Sequence, residues 1–292
     1  MVTRSPKPAG RSLKLTPTEV SQWVRNSAKD LELIEADKLK GNTELLSKLS
    51  ALALDAYLVN SFGRIIPEEF LRLVKYPLCI HPSPLPQLRG PSPIRTALLL
   101  GMKRTGVALF RMTAEMDAGD VILFKEAEIY PQDNFASLRT RLAELAREVV
   151  EKGLCLIMDG AETYIPQDHS KATFTKLFSF EDTFLDFSLT AEDVFNRIRA
   201  FSPDMGAVCV LPDGKMLKIF SGRVYEEEEN LQASSYSLGE VVRIFRENFI
   251  VACGKGFIEV TEVQPENKRK MSATEFLAGR KLKAGDILRK PS

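Results

Sequence analysis

The pattern of apolar residues changes once along this chain, between residues 164 and 187. Before that stretch, short apolar runs alternate with amphipathic segments such as 134–158, whose Phe135, Leu138 and Leu142 share one helical face. Such alternation predicts an α/β domain whose sheet has a parallel core. After it, short β-like runs are separated by Asp-Gly and Gly-x-Gly turns, which predicts a small barrel or sandwich. The predicted units are a domain at 1–163, a linker at 164–187 and a second domain at 188–292.

Local signals mark the ends of several predicted elements. Ser92 followed by Pro93 is typical of a helix start, and Thr190 with Asp193 three residues later predicts another. The run 56–63 is apolar and ends in glycine, so it predicts a buried strand followed by a turn.

Composition narrows the class of protein. Of the 292 residues, 44% are hydrophobic and 27% charged, as in a globular protein, and the net charge of +1 indicates no general affinity for nucleic acid. No apolar run reaches the length of a membrane span, so no membrane partner is expected. The four cysteines stand far apart and there are two histidines, so we expect reduced thiols and no metal site. A cytoplasmic protein is predicted, and the basic N-terminus leaves an organellar location open.

One proline-rich stretch, "CIHPSPLPQLRGPSPI" at 79–94, contains a candidate catalytic histidine. His81 follows a predicted strand, and ligands of open α/β sheets bind at the carboxyl ends of strands. Its side chain suits proton transfer near neutral pH, although a hydrogen-bonded structural histidine fits the pattern as well. Asp117 in "MDAGD" is a candidate partner, since a carboxylate orients a histidine and stabilises its charge. Ordinary turn chemistry also explains that motif.

Basic residues provide candidate anion contacts in two places. Arg89 stands just before the predicted helix start at Ser92, where an anion is favoured, although pairing with a surface acid is the commoner role. The first residues form a flexible segment rich in Gly and Pro that suits a phosphate backbone or is simply a disordered terminus. Its candidate contacts are Arg4, Lys7, Arg11 and Lys14.

Three motifs in order, "HPSPLPQLRGPSPI", "TGV" and "MDAGDVI", resemble those of the methionyl-tRNA formyltransferase family. The likeness extends to "PKPAGRSLKLTPTEV" near the N-terminus and to "NRIRAFSP", "VACGKGFIEV" and "MSATEFLAG" in the C-terminal part, so it covers nearly the whole chain. It implies a Rossmann-like formyltransferase domain, a linker and a β-barrel of the oligonucleotide-binding (OB-like) type.

The resemblance also implies a reaction, in which a formyl group passes from 10-formyltetrahydrofolate to the α-amine of methionyl initiator tRNA. His81 would donate a hydrogen bond to the developing oxyanion, and Asp117 would keep His81 charged and help to move protons. No metal is needed, and a monomer is expected. The implied folate contacts are Ser83, Pro84, Leu85 and Pro86. The implied tRNA contacts are Arg4, Lys7, Arg11, Lys14 and Arg89.

Two departures from the family pattern qualify these expectations. The family has an asparagine that donates to the oxyanion where this chain has Cys79, and a thiol is a weak donor. The family also begins with a strand–helix–strand unit that is expected to be missing here, through a misassigned start, a truncated gene or a degenerate relative. The alternatives are therefore a homologue that binds tRNA or folate without catalysis, and a formyltransferase that acts on another amine.

Overall fold

The computed structural model describes residues 1–9, 13–226, 232–279 and 282–291. The elements of the N-terminal domain are β1 (Val2–Thr3), β2 (Lys7–Ala9), β3 (Lys14–Thr16), α1 (Glu19–Ser27), β4 (Ile34–Glu35), α2 (Thr43–Ala51), β5 (Ala56–Val59), α3 (Glu68–Leu71), β6 (Tyr76–His81), α4 (Pro93–Leu99), β7 (Arg104–Arg111), β8 (Val121–Glu128) and α5 (Phe135–Met158). Strands and helices alternate through most of this domain, as the sequence predicts.

The main sheet of this domain has the strand order β5-β6-β7-β8. Strands β5 and β6 are parallel, whereas β6, β7 and β8 run antiparallel, so the predicted parallel core is wrong beyond the first pair. The connection from β7 to β8 spans residues 112–120, which is too short for the crossover that parallel strands require. Helix α5 packs its apolar stripe on β7, where Gly153 lies so close to Leu109 that a Cβ would be 2.2 Å from that side chain.

The run 56–63 is predicted to form a buried strand, but strand β5 is shorter and partly exposed. It ends at Val59 and pairs only with β6 within the described residues, and Leu58 is 41% exposed. Strands β1 and β4 form a separate parallel pair, next to a small apolar cluster that includes Ala36, Leu45 and Phe70. An apolar run specifies a strand but not its place in the sheet, and here the run lies at an edge.

The basic N-terminal segment forms a hairpin rather than the expected flexible loop. Lys7 pairs with Thr16 and Ala9 with Lys14 in the antiparallel pair β2–β3. Arg11 falls within residues 10–12, which lie outside the described part of the chain.

The C-terminal domain contains α6 (Ala191–Phe201), β9 (Ala207–Val210), β10 (Met216–Tyr225), β11 (Val241–Ile244), β12 (Phe249–Ala252), β13 (Phe257–Pro265), β14 (Met271–Ser272) and α7 (Ala273–Gly279). Its strands follow the order β11-β12-β13-β10-β9, and β14 pairs with β13. Residues 286–289 bridge the two edge strands, because Arg289 exchanges hydrogen bonds with Val210 of β9 and Val241 of β11 donates to the Asp286 carbonyl. The sheet thereby closes around an apolar core, which confirms the predicted β domain.

The predicted linker at 164–187 lies against both domains. Ile165 exchanges two backbone hydrogen bonds of 2.9 Å with Val121, and Leu185 donates to the carbonyl of Val208. At the junction between the domains, the Arg95 guanidinium lies 3.7 Å from the ring centre of Phe135 and donates to the carbonyl of Ala200. The connection is therefore ordered, and it contacts both domains.

Candidate active site

His81 is the last residue of β6, and its imidazole is buried. The ring Nε2 lies 2.9 Å from the carbonyl oxygen of Leu88. Because a carbonyl only accepts, Nε2 carries a proton in this arrangement. The other nitrogen, Nδ1, faces Asp117 with 3.8 Å to Oδ2. Nδ1 is therefore the nitrogen that is available for chemistry.

Asp117 lies in the loop between β7 and β8, in a left-handed conformation with φ of 52°. Its Oδ2 accepts a hydrogen bond of 2.7 Å from the backbone N–H of Gly90. The loop leaves β7 beside Pro77, since Met112 donates to the Pro77 carbonyl, and then turns back to bring Asp117 to His81. The structure thus brings together the two predicted catalytic residues, which are thirty-six positions apart in the chain.

The pair combines a proton donor with a proton acceptor in a partly desolvated setting. The Nδ1–H of His81 provides a hydrogen-bond donor for an oxygen that gains negative charge, and the adjacent Asp117 carboxylate provides a proton acceptor. The separation of 3.8 Å exceeds a hydrogen bond, and such contacts often tighten only when substrate is bound. This geometry suits acyl transfer to an amine.

Cys79 shares a sheet face with His81, because residues two apart on a strand point the same way. It packs against the small cluster of Ala108, Phe110 and Val121, and its thiol donates to the Ile80 carbonyl at 3.7 Å. Burial, together with the charge of Asp117, raises the pKa of the Cys79 thiol to about 12. The thiol is therefore neutral at physiological pH, which argues against a nucleophilic role.

Cysteine labelling tests this description of Cys79. At about pH 8, iodoacetamide is expected to modify the exposed Cys155 on α5 and to leave Cys79 unmodified, since the thiolate is the reactive form. Peptide mass spectrometry reads out each site, with urea-unfolded protein as the control in which both sites react. Equal labelling of Cys79 and Cys155 in the folded protein contradicts the neutral, buried thiol.

The predicted folate segment forms a tightly bonded loop beside His81. Ser83 is fully buried, and its hydroxyl donates to the carbonyl of Gln87 at 2.7 Å, so that hydroxyl is engaged within the protein. Pro84, Leu85 and Pro86 are half-buried, and the peptide between the last two is cis. The N–H of Ser83 also donates to the His81 carbonyl and that of Gln87 to the Pro84 carbonyl, so these hydrogen bonds make the loop a rigid wall next to the His81–Asp117 pair.

Arg89 is placed differently from the predicted tRNA contact. Its side chain is 1% exposed, and its Nε and Nη2 donate to Gln167 Oε1 at 3.1 and 2.8 Å. Its Nη1 lies 3.4 Å from Glu115, and its Nη2 3.3 Å from a ring nitrogen of His169. A guanidinium buried among protein partners does not face a polyanion, so we correct its role to a structural one. No motif in the sequence indicates Gln167 as a partner of Arg89, because it lies 78 residues further along the chain.

The other predicted tRNA contacts lie apart from this site. Arg4, Lys7 and Lys14 are exposed, the two lysines on the β2–β3 hairpin. Among the described residues, no hydrogen bond or ion pair joins them to His81 or Asp117.

A cavity of about 520 Å³ opens beside the Asp117 loop. Its walls include Arg111, Thr113, Gly119 and Asp120, and a Cβ on Gly119 would lie 1.7 Å from the Arg111 carbonyl. The volume is in the range of small-molecule sites. Within the described ranges, no cluster of three or more His, Cys, Asp or Glu side chains has a metal-binding arrangement. Nor does any described helix have the length and apolarity to cross a bilayer.

Comparison with known proteins identifies the family. Residues 1–154 match the "Formyl transferase" family and residues 178–281 its "C-terminal domain". The methionyl-tRNA formyltransferase of Streptococcus equi subsp. equi is 36% identical over 290 residues, which cover 99% of this chain and 90% of that protein. This chain belongs to the methionyl-tRNA formyltransferase family. A relative of the same name from Thermotoga neapolitana is 37% identical over 286 residues, covering 98% of this chain and 88% of its own length.

A solved structure supports the fold of this family member. HypX from Aquifex aeolicus, in complex with tetrahydrofolic acid, superposes with a TM-score of 0.62 at 22% identity. The match covers 89% of this chain and 45% of HypX, so this chain spans less than half the length of that protein. The resemblance noted in the sequence and the predicted α/β and β domains are confirmed.

Proposed function

We propose that this protein transfers the formyl group of 10-formyltetrahydrofolate to the α-amino group of methionyl initiator tRNA. The observation that carries the proposal is the His81–Asp117 pair, 3.8 Å apart, in a chain whose methionyl-tRNA formyltransferase relatives match it from end to end. HypX with tetrahydrofolic acid supports a folate as the formyl donor in this fold. The bacterial relatives support a cytoplasmic, bacterial-type enzyme, which we propose acts as a monomer.

In the proposed transfer, His81 and Asp117 act on the two reacting groups. The formyl donor supplies an electrophilic carbonyl carbon. The His81 Nδ1–H donates to the formyl oxygen as the new carbon–nitrogen bond forms, which stabilises the negative charge there. Asp117 accepts the proton that the attacking amine loses. That proton passes to the folate N10 as the old carbon–nitrogen bond breaks, so the products are a formamide and tetrahydrofolate.

The wall at Pro84–Pro86 and the cavity beside Asp117 are the surfaces that we propose hold the folate. Because the wall is rigid before binding, little entropy is lost when the formyl carbon is positioned beside Nδ1. Ser83 holds this wall in place, since its hydroxyl donates to the Gln87 carbonyl and its backbone N–H to the His81 carbonyl.

A formyl-transfer assay tests the proposed function. Purified chain, 10-formyltetrahydrofolate and charged initiator tRNA are expected to yield formylmethionyl-tRNA, detected by mass spectrometry of the released amino acid. Uncharged tRNA and an amino-sugar nucleotide serve as alternative acceptors. Faster transfer to the sugar amine contradicts the proposed acceptor, and binding of both substrates without product favours the second candidate below.

That second candidate is a homologue that binds tRNA or folate without catalysis, and Cys79 is the observation that favours it. The neutral thiol points to the Ile80 carbonyl at 3.7 Å and is a weak donor where the family has an amide.

The basic hairpin is the proposed tRNA contact in the N-terminal domain. The pair Lys7→Ala and Lys14→Ala is expected to weaken tRNA binding and to lower the slope of log affinity against log salt by about 1 to 2, because each phosphate contact releases counterions. Filter binding across a salt series measures this. Lys48→Ala with Lys152→Ala, on the exposed faces of α2 and α5, removes equal charge as a control. An equal slope in both double variants contradicts the assignment.

A further inference from the structure

The Asp117 loop has a backbone conformation that few residue types adopt. Asp117 has φ of 52°, in the left-handed region that residues with a Cβ seldom adopt. Two residues further on, Gly119 passes so close to the Arg111 carbonyl that no side chain fits. Contacts from outside the loop also hold it, and they bear on where the carboxylate points.

Gln167, in the connection between the two domains, makes that contact. Its buried amide Nε2 donates to the carbonyl oxygen of Asp117 at 2.9 Å and to that of Gly119 at 2.6 Å. One side chain thus holds the loop on both sides of its turn. The residue is 7% exposed, so these hydrogen bonds are shielded from competing water.

Arg89 fixes the other end of Gln167. The guanidinium donates to Oε1 through both Nε and Nη2, which orients the carboxamide so that its N–H₂ group faces the loop. The assignment of the amide nitrogen therefore follows from the network, since Arg89 has only donors and the two loop carbonyls only accept.

The same network also reaches the carboxylate and the imidazole. Gly90, next to Arg89, donates its N–H to Asp117 Oδ2, and Leu88, on the other side of Arg89, accepts from His81 Nε2. The segment 88–90 therefore holds Asp117 in two ways. Gly90 binds its carboxylate directly, and Arg89 holds its backbone carbonyl through Gln167.

We propose that Gln167 is a positioning residue for the formyl transfer: it sets the Asp117 carboxylate relative to His81, so the connection between the domains is part of the active site. This inference rests on the proposed function for its rate prediction. The residue does not touch the reacting atoms, and it acts only through Asp117.

The substitution Gln167→Glu tests this role with little expected loss of fold. A glutamate keeps an oxygen that accepts from Arg89 Nε and Nη2 but has no N–H for the loop. It sets its other carboxylate oxygen against the Asp117 and Gly119 carbonyls. We expect kcat to fall by about 10- to 100-fold, as for a small misplacement of a catalytic group, with both KM values little changed. Gln264→Glu is the matched control, since Gln264 donates to the exposed Lys268 carbonyl in the other domain.

A double-mutant cycle with Asp117→Asn separates positioning from general destabilisation. If Gln167 acts through Asp117, Gln167→Glu has little further effect on kcat in the Asp117→Asn background. Additive losses in the two backgrounds, or an unchanged kcat in the single variant, overturn the proposal. Thermal melts of all variants show what fraction is folded.

A second readout does not depend on activity. The His81 ring resonance, assigned with a His81→Asn variant, is expected to shift at fixed pH in Gln167→Glu and to shift much less in the Asp117→Asn background. An unmoved resonance overturns the positioning role even if the wild-type chain transfers no formyl group. An inactive wild type with a shifted resonance supports the positioning role and contradicts only the proposed function.

Discussion

Asp117→Asn is expected to lower kcat/KM for formyl transfer by about 10²- to 10⁴-fold, the usual range for loss of a general acid–base group. The negatively charged carboxylate lies 3.8 Å from His81 Nδ1, which places a proton acceptor beside the group that we propose donates to the formyl oxygen. Asparagine removes that charge and accepts no proton from the attacking amine. Its amide oxygen can still accept the Gly90 N–H, so the loop is expected to keep its place.

Steady-state kinetics with charged initiator tRNA measure this effect, and a thermal melt shows whether the variant is folded. Asp159→Asn, at the exposed end of α5, removes one carboxylate charge far from the site and serves as the matched control. A kcat/KM for Asp117→Asn equal to that of the control contradicts a catalytic role for Asp117.

Cys79→Asn is expected to raise kcat, by up to about 10²- to 10³-fold, which is the usual contribution of one oxyanion donor. The present thiol is a weak donor, is held neutral by burial and by the charge of Asp117, and points to the Ile80 carbonyl. An asparagine on the same sheet face as His81 supplies an amide N–H₂ group. The added hydrogen bond stabilises the transition state more than the bound substrates, so KM for either substrate is expected to change little.

The cost of this substitution is expected in stability. Cys79 packs against Ala108 and Phe110, and an amide placed beside that cluster loses apolar contact, so a lower melting temperature should accompany the higher rate. Cys155→Asn on the exposed face of α5 is the control for a change of cysteine to amide. A folded Cys79→Asn protein with unchanged or lower kcat contradicts the oxyanion role of this position.

Asn60 follows β5 at the end of the sheet where Cys79 lies, so its amide is a second candidate for the oxyanion donor. The structure gives it no such role among the described contacts. Val59 pairs with Cys79, but Asn60 is exposed and its carboxamide accepts from the Ser61 hydroxyl. Position 79 therefore remains the place where an amide is expected to act.

Local chemistry was predictable from the sequence, because it depends on neighbours along the chain. Thr190 caps α6 by accepting from the Asp193 N–H, and Asn134 caps α5, which ends at Met158 as the apolar stripe predicts. Ser92 stands at the start of α4 as predicted, but its side chain makes no capping hydrogen bond.

The two catalytic candidates were also visible in the sequence, and their motifs indicate the family. His81 and Asp117 are residue types suited to proton transfer at the ends of predicted strands, and the surrounding motifs are specific. Their roles stay predictions until the variants are measured.

Only the tertiary structure decided what the long-range contacts do. Arg89 is buried with Gln167 as its partner, which lies 78 residues further along the chain. Strand β5 lies at a sheet edge, and that place is set by the assembly of the strands rather than by the residues of β5. From sequence, an arginine before a helix predicts an anion site, and only the structure shows that the partner of Arg89 is a buried side chain of the protein. The sequence by itself determined most of the elements, the family and the two candidate residues His81 and Asp117. The tertiary structure decided that the connection between the domains holds these two residues in place, because burial and hydrogen-bond partners are properties of packing.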